Sequence, residues 1–182
     1  LADAAPGRAL IGIGASSPVF VTNWNSIAYA SPYQRVADTL AVLRSALAGE
    51  RVDFVGKTMT VRGLRLERPP SVVPPIVLAA LREGMIRLAA RAADGLMVNW
   101  LSAADVRKVA AIYGDAGGSG LIVDRIMVCP NPNARQVRAA VKSLVARYLS
   151  VPGYVEFQKW LGRGDVLAPM WAAWEAGDRT AA

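Results

Sequence analysis

Histidine is missing altogether from these 182 residues. That removes Ser-His-Asp hydrolysis, imidazole zinc sites and any histidine general base. Cysteine occurs once, at Cys129. No internal disulfide framework is possible, and the chain fits a reducing, cytoplasmic setting. Apolar runs are all shorter than the ~18 to 20 uninterrupted residues of a membrane span. The opening L-A-D-A-A-P-G-R has no basic segment leading into an apolar one, so no secretory signal is expected. It also lacks an initiator Met and reads as the middle of something longer. Carboxylates are scattered, with no paired arrangement for glycoside chemistry. Low-complexity tracts and domain linkers are missing too, so one domain is expected over residues 1–182.

What is present points to a folded core. Apolar residues make up 53% of the chain, enough for one sizeable core at this length. The net charge of +7, from 21 Lys and Arg against 14 Asp and Glu, suits an anionic ligand. The basic residues are dispersed rather than striped. Arg62, Arg65 and Arg68 are the exception, and Glu67 interrupts them. They read as a solvated rim, and nucleic acid is not an expected partner.

The chain is organised around Pro75 to Trp100. Ile76 to Ala80 is a continuous apolar run, as in a parallel strand covered on both faces. Met85, Leu88, Ala89 and Ala92 then recur at helical spacing, with Glu83, Arg87 and Arg91 on the other side. Asp94-Gly95 is expected to close this helix, with glycine in the left-handed conformation. Leu96 to Val98 start the next strand. The unit is strand–helix–strand, with a right-handed connection.

Around it, Ala9 to Gly14 forms an apolar strand ending in glycine. Ala15 to Ser31 follows, a loop carrying Trp24, Tyr29, Asn23 and Asn25 that either lines a pocket or lids the sheet. Ser31-Pro32 is a helix start, with Ser as cap. That helix runs to about Gly49. Residues 51–63 alternate around Gly56-Lys57 as a small hairpin insertion. Ser102 caps a helix to about Ala116, and Gly117 to Gly120 is a flexible break. Ile122 to Cys129 gives a fourth strand, with Asp124-Arg125 near its start and Cys129 as inert core. Ala134 to Leu149 and Val155 to Leu161 are helical, and Trp171 and Trp174 pack the last helix. Strands alternating with helices mean α/β with a parallel sheet. A doubly wound sheet and a (β/α)8 barrel both fit.

One position could bind an anion. The turn Ala79-Ala80-Leu81-Arg82 offers backbone N–H groups at a helix start, where the dipole favours negative charge. Small residues let a phosphate approach, and Arg82 adds a charged donor. The plainer alternative is that these residues only pack helix on strand. Gly12-Ile13-Gly14 is not a dinucleotide fingerprint, because Ser17 stands where the third glycine belongs. No catalytic set and no metal-ligand set emerges.

Three motifs, in order, resemble the bacterial luciferase-like flavin and deazaflavin oxidoreductases. They are G-R-A-L-I-G-I-G, the hairpin V-D-F-V-G-K-T-M-T-V-R-G, and the segment from P-P-I-V-L-A-A to A-D-G-L-M-V-N-W. The resemblance implies a (β/α)8 TIM barrel of which only about half the strands are present. It implies an oxidoreductase of the monooxygenase or hydride-transfer class, using coenzyme F420 or FMN on a small molecule. It places Ala15, Ser16 and Ser17 against the cofactor ring, the phosphate at Ala80, Leu81 and Arg82, and Gly95 nearby. Ser17 departs from the acidic residue common in deazaflavin-using members. The first three strands and the last one are absent, so the chain is expected to be a fragment that pairs with its missing half or with a second copy. The competing reading is a non-catalytic half-barrel that binds a phosphorylated ligand or self-assembles.

Overall fold

The computed structural model describes residues 2–182. Contacts cluster into two compact units, Leu1–Arg125 and Ile126–Ala182.

The first unit holds the sheet. In chain order it comprises β1 (Ile11–Ile13), a short helical turn (Val19–Asn23), α1 (Pro32–Leu47), the strands β2 (Val52–Val55) and β3 (Thr60–Leu64), β4 (Ile76–Ala79), α2 (Glu83–Ala92), β5 (Gly95–Asn99), α3 (Ala103–Asp115) and β6 (Leu121–Arg125). β2 and β3 form the separate antiparallel hairpin. The other four strands make one parallel sheet in the order β1-β4-β5-β6. Each new strand is added on the same side of the last. Right-handed crossovers then put every connecting helix on one face. That is the winding of a barrel sector, and it separates this chain from a doubly wound sheet, whose strand order reverses.

Pleating and register sort the residues onto two faces. Ile76, Leu78, Ala80, Leu96 and Val98 share one face and are all buried, with Ile86, Leu88 and Ala89 of α2 and Val109 and Tyr113 of α3. Gly12, Val77, Gly95 and Leu121 form a register row on the other face, and Ala79, Met97 and Val123 form the next. On that second face Gly12 and Ala79 are exposed and Met97 is half-buried. One face is core throughout, and the other is buried at Val77 and Gly95 and open at Gly12, Ala79 and Leu121.

Two carboxylates tie the elements together. Asp94 accepts from Arg44 Nη2 of α1 at 2.9 Å and from the Ile76 N–H at 2.8 Å, while its own N–H donates to Ile76 O. Buried Asp38 of α1 accepts from the Thr58 N–H and Oγ1, both at 2.7 Å, and from Gln34 Nε2 at 3.0 Å. It thereby latches the hairpin turn onto α1.

Several local expectations are corrected. Gly95 is not the left-handed end of α2. The helix stops at Ala92, Ala93 is extended, and Gly95 opens β5. Its glycine is needed for close approach, since a Cβ there would stand 2.6 Å from Leu121 O. Ser31 adopts a left-handed conformation (φ 46°) with no side-chain cap bond. Gly117 to Gly120 is a packed turn: the Gly118 N–H donates to Tyr113 O, and a Cβ on Gly120 would collide with Asp94 O. β6 ends at Arg125, so Asp124-Arg125 closes the strand, and Cys129 is exposed beyond it. The apolar run Ile126–Val128 imitates a buried strand in sequence, but no strand among the described residues pairs there.

The second unit contains α4 (Ala134–Leu149), α5 (Pro152–Trp160) and α6 (Gly164–Glu175). Fully buried Phe157 stacks on Trp160 at 5.9 Å. Trp171 Nε1 donates to Leu149 O at 2.9 Å, fixing α6 to the end of α4. Trp174 lies under the Arg179 guanidinium at 3.8 Å. Both tryptophans are therefore packing residues. Among the described residues, no helix is long and apolar enough to cross a membrane.

Candidate functional site

The C-terminal edge of a parallel sheet is where strands stop and helices have yet to begin, leaving backbone groups unused. Here that edge carries Gly14 to Ser17 after β1, Ala80 to Arg82 after β4, Asn99 to Leu101 after β5, and Arg125 at the end of β6. β1 and β4 are neighbours, so the first two groups lie side by side. A Cβ on Gly14 would stand 3.1 Å from Ala79 Cβ. Glycine and alanine therefore keep the open face of the sheet low at this corner.

The turn after β4 supplies the donors. The Ala80 N–H is not one of them, because it donates to Met97 O at 3.0 Å and continues the sheet. Arg82 is the extended residue before α2 (φ −125°, ψ 167°), and its carbonyl accepts from the Met85 and Ile86 N–H groups. The N–H groups of Leu81, Arg82, Glu83 and Gly84 have no acceptor among the described residues. A helix start of this kind presents converging N–H groups and the positive end of the dipole. The Arg82 guanidinium is exposed and in no ion pair among the described residues. Glu83 would repel an anion here, but its carboxylate is paired with Arg87 at 2.7 Å.

The loop after β1 is an ordered structure. Ser16 takes a left-handed conformation (φ 59°), and Tyr29 Oη donates to Ser16 O at 3.3 Å, closing the loop on its own beginning. Desolvation raises the Tyr29 pKa, so the phenol remains a donor. Ser17 O accepts from the Val21 N–H at the start of the helical turn.

Of the expected site residues, Ala15, Ser16, Ser17, Leu81 and Arg82 come together at this edge. Ala80 contributes its small side chain and no free donor. Gly95 is not brought to the site: it is buried at the opposite end of β5, four residues from Asn99, which is about 13 Å of strand.

Other groups at the same edge escaped the sequence reading. Asn99 pairs in register with Arg125, and the Trp100 N–H donates to Arg125 O at 3.0 Å. Trp100 is held at φ 58°, a costly conformation for a bulky residue and one that clusters at functional sites. The Arg125 guanidinium lies 5.7 Å over its ring. Asp124 Oδ1 is buried with no hydrogen-bond partner among the described residues. An Asp-Arg pair in the sequence signals charge there, but the left-handed Trp100 has no sequence signature.

Two shallow grooves lie elsewhere. One, of about 330 Å³, is lined by residues that include Arg44, Leu47, Val73 and Ile76, at the start of β4. Another, of about 380 Å³, is lined by Gly49, Arg65, Leu66, Glu67 and Pro69. Neither contains a residue of the C-terminal edge. Arg65 thus sits on an open rim, as its charge pattern suggests. No cluster of three or more metal-ligating side chains occurs among the described residues.

A parallel sheet wound in one direction, with its unused donors at the C-terminal edge, defines the class: a sector of a (β/α)8 barrel. The chain belongs to the luciferase-like monooxygenase family, whose profile matches residues 1–182. It is 30% identical over 93 residues to 5,10-methylenetetrahydromethanopterin reductase of Archaeoglobus fulgidus, a match covering 51% of this chain and 27% of that protein. It is 29% identical over 98 residues to an F420-dependent glucose-6-phosphate dehydrogenase of Rhodococcus erythropolis, covering 50% and 28%. It is 27% identical over 123 residues to an F420-dependent hydroxymycolic acid dehydrogenase of Mycobacterium tuberculosis, covering 63% and 32%. Each match thus spans about a third or less of the relative's length. Among solved structures, an F420-dependent secondary alcohol dehydrogenase in complex with an F420-acetone adduct superposes with a TM-score of 0.64 at 19% identity, covering 79% of this chain and 46% of that one. The last likeness establishes the fold.

Proposed function

We propose that this chain is the cofactor-binding part of a coenzyme F420-dependent oxidoreductase acting on a small organic molecule in the cytoplasm. The observation that carries the reading is the head of α2, where the N–H groups of Leu81 to Gly84 have no acceptor among the described residues beside the low floor of Gly14 and Ala79. The relatives named for F420 support the deazaflavin over FMN, which also carries a phosphate.

The residues fit such a group. The free amides and the dipole bind a phosphate, and Arg82 adds a mobile positive charge. Gly14 and Ala79 leave the open face free of side-chain bulk for a flat ring. Ala15, Ser16 and Ser17 border that space. When bound, a deazaflavin supplies hydride transfer. Ser17 does not ionise at neutral pH, so proton transfer falls to a group outside residues 15–17 and 80–82.

Titrating the chain into F420 and into FMN, followed by fluorescence, tests the reading. A ligand present at 100-fold over its dissociation constant stabilises the fold by about 2.7 kcal/mol. No binding of either removes the proposal for this chain. A second reading, a non-catalytic half-barrel for a phosphorylated ligand, is favoured by the absence of any acid or imidazole among residues 15–17 and 80–82. It predicts binding without redox turnover. In both readings the exposed outer edges of β1 and β6 are covered by further strands or by a second copy. Gel filtration at several concentrations, giving a well-behaved monomer with cooperative unfolding, would contradict that.

A further inference from the structure

We infer that the loop between β1 and α1 is the substrate-selecting rim of this site, and that it takes a neutral, apolar substrate rather than a sugar phosphate or another charged one. The inference rests on the proposed oxidoreductase reading for the identity of the mouth, and adds the substrate class.

Composition is the first observation. No charged residue stands between Arg8 and Arg35, although 19% of the chain is charged. The only polar side chains in that stretch are neutral hydroxyls, amides and the Trp24 indole. No side chain on this loop can form an ion pair with a phosphate or a carboxylate.

Exposure is the second. On and just after the helical turn, Val19 is 45% exposed, Phe20 49%, Trp24 69% and Ile27 53%. Four large apolar side chains on one short segment are more than scattered surface residues, and such patches mark binding surfaces. Nor do they belong to a loose chain. Phe20 and Trp24 meet edge-to-face at 4.5 Å. The Trp24 N–H donates to Val19 O at 3.1 Å, and Asn25 Nδ2 donates to Phe20 O at 2.6 Å. The Tyr29–Ser16 hydrogen bond closes the loop. The fold holds an apolar surface in place, and the described residues leave it exposed.

Continuity says what covers it. The loop leaves the sheet directly after Gly14, the residue facing Ala79 on the open face, and is pinned back to Ser16 two residues later. The patch is therefore built on the same corner as the free N–H groups after β4. An anionic cofactor group at the helix head and an apolar substrate body on the opposing loop divide the corner by charge.

The test is the binding of primary alcohols from butanol to decanol to the full chain without cofactor, measured by calorimetry, with F420 affinity measured separately. Each added methylene should tighten binding roughly fourfold. In the double variant Phe20→Ser with Trp24→Ser that dependence should collapse, while F420 affinity is unchanged. Val19→Ser with Ile27→Ser on the same loop should act in the same direction, and urea unfolding shows that each variant is folded. An unchanged chain-length dependence in folded variants overturns the inference, whether or not F420 binds. So does a variant that converts a dimer into a monomer, since a second copy would then be the occupant. Failure of F420 to bind sinks the functional reading alone, because the alcohol series is measured without it.

Discussion

Arg44 and Asp94, fifty residues apart in the chain, meet at 2.9 Å between Nη2 and Oδ1. The same carboxylate accepts the Ile76 N–H at 2.8 Å, and Arg44 Nε donates to Ala92 O at 2.9 Å. Three elements are fixed by one acid: the end of α1, the end of α2 and the start of β4. The Ala93-Asp94-Gly95 turn between α2 and β5 is thus a structural clamp at the N-terminal edge of the sheet, away from the candidate site.

The clamp gives an asymmetric prediction. The ion pair is half-exposed, so Arg44→Ala should cost below about 1 kcal/mol. Asp94→Ala also strands the N–H of buried Ile76 and should cost about 2 kcal/mol. Urea unfolding of both variants measures the difference. Equal costs would mean that the hydrogen bond to Ile76 contributes nothing.

Acid should weaken the fold. Burial opposes ionisation of both Asp38 and Asp94. For Asp38, hydrogen bonds from Gln34, from the Thr58 side chain and from the amides of Thr58 and Lys57 outweigh it. For Asp94, the hydrogen bond and charge of Arg44 and the Ile76 amide do so. Both folded-state values are therefore lowered. Their contribution is complete above the unfolded carboxylate value of about 3.9 and is lost as pH falls through the lower folded values. Urea midpoints should be insensitive to these two groups near neutrality and fall below about pH 4. Asp38→Asn with Asp94→Asn should flatten that fall.

Gly56 sits where no side chain fits. A Cβ there would stand 2.5 Å from Phe54 Cε1 and 2.6 Å from Asp38 Cγ. Gly56→Ala should destabilise by about 1 to 3 kcal/mol. Hydrogen exchange at the Thr58 N–H, which donates to Asp38, should rise with it.

Gly14 offers a milder case. It is exposed, with negative φ, and among the described residues only Ala79 lies close, its Cβ 3.1 Å from where a Gly14 Cβ would stand. Gly14→Val should cost about 1 kcal/mol in stability. It should weaken F420 binding at least tenfold, or about 1.4 kcal/mol, by filling the floor of the site. Unchanged affinity would place the ring elsewhere.

Sequence carries some of this clearly. The apolar run Ile76 to Ala80 and the helical spacing of Met85 to Ala92 mark the strand–helix–strand unit because burial on both faces and amphipathicity are local signals. Gly56-Lys57 marks the hairpin for the same reason. The anion turn is legible as small residues before a helix. Its limits are not, because only the register with β5 shows that the Ala80 N–H is already engaged by Met97. Gly95 misleads because a glycine after a helix reads as a cap, while its actual constraint comes from Leu121 on the next strand. Cys129 misleads because the apolar run Ile126 to Val128 resembles a strand, and exposure is decided by what lies beside it. The left-handed Trp100 and the uncovered surface of Phe20 and Trp24 are tertiary facts with no local pattern.

The central claim is that the free N–H groups at the head of α2 seat a phosphate of the deazaflavin. The most direct measurement is a fluorescence titration of the chain and of its Arg82→Glu variant with F420 and with the same deazaflavin lacking its phosphate. The account predicts that the chain binds F420 at least tenfold tighter than the phosphate-free compound, about 1.4 kcal/mol, and that Arg82→Glu removes this preference. Equal affinity for the two compounds, or a preference that survives Arg82→Glu undiminished, would contradict it.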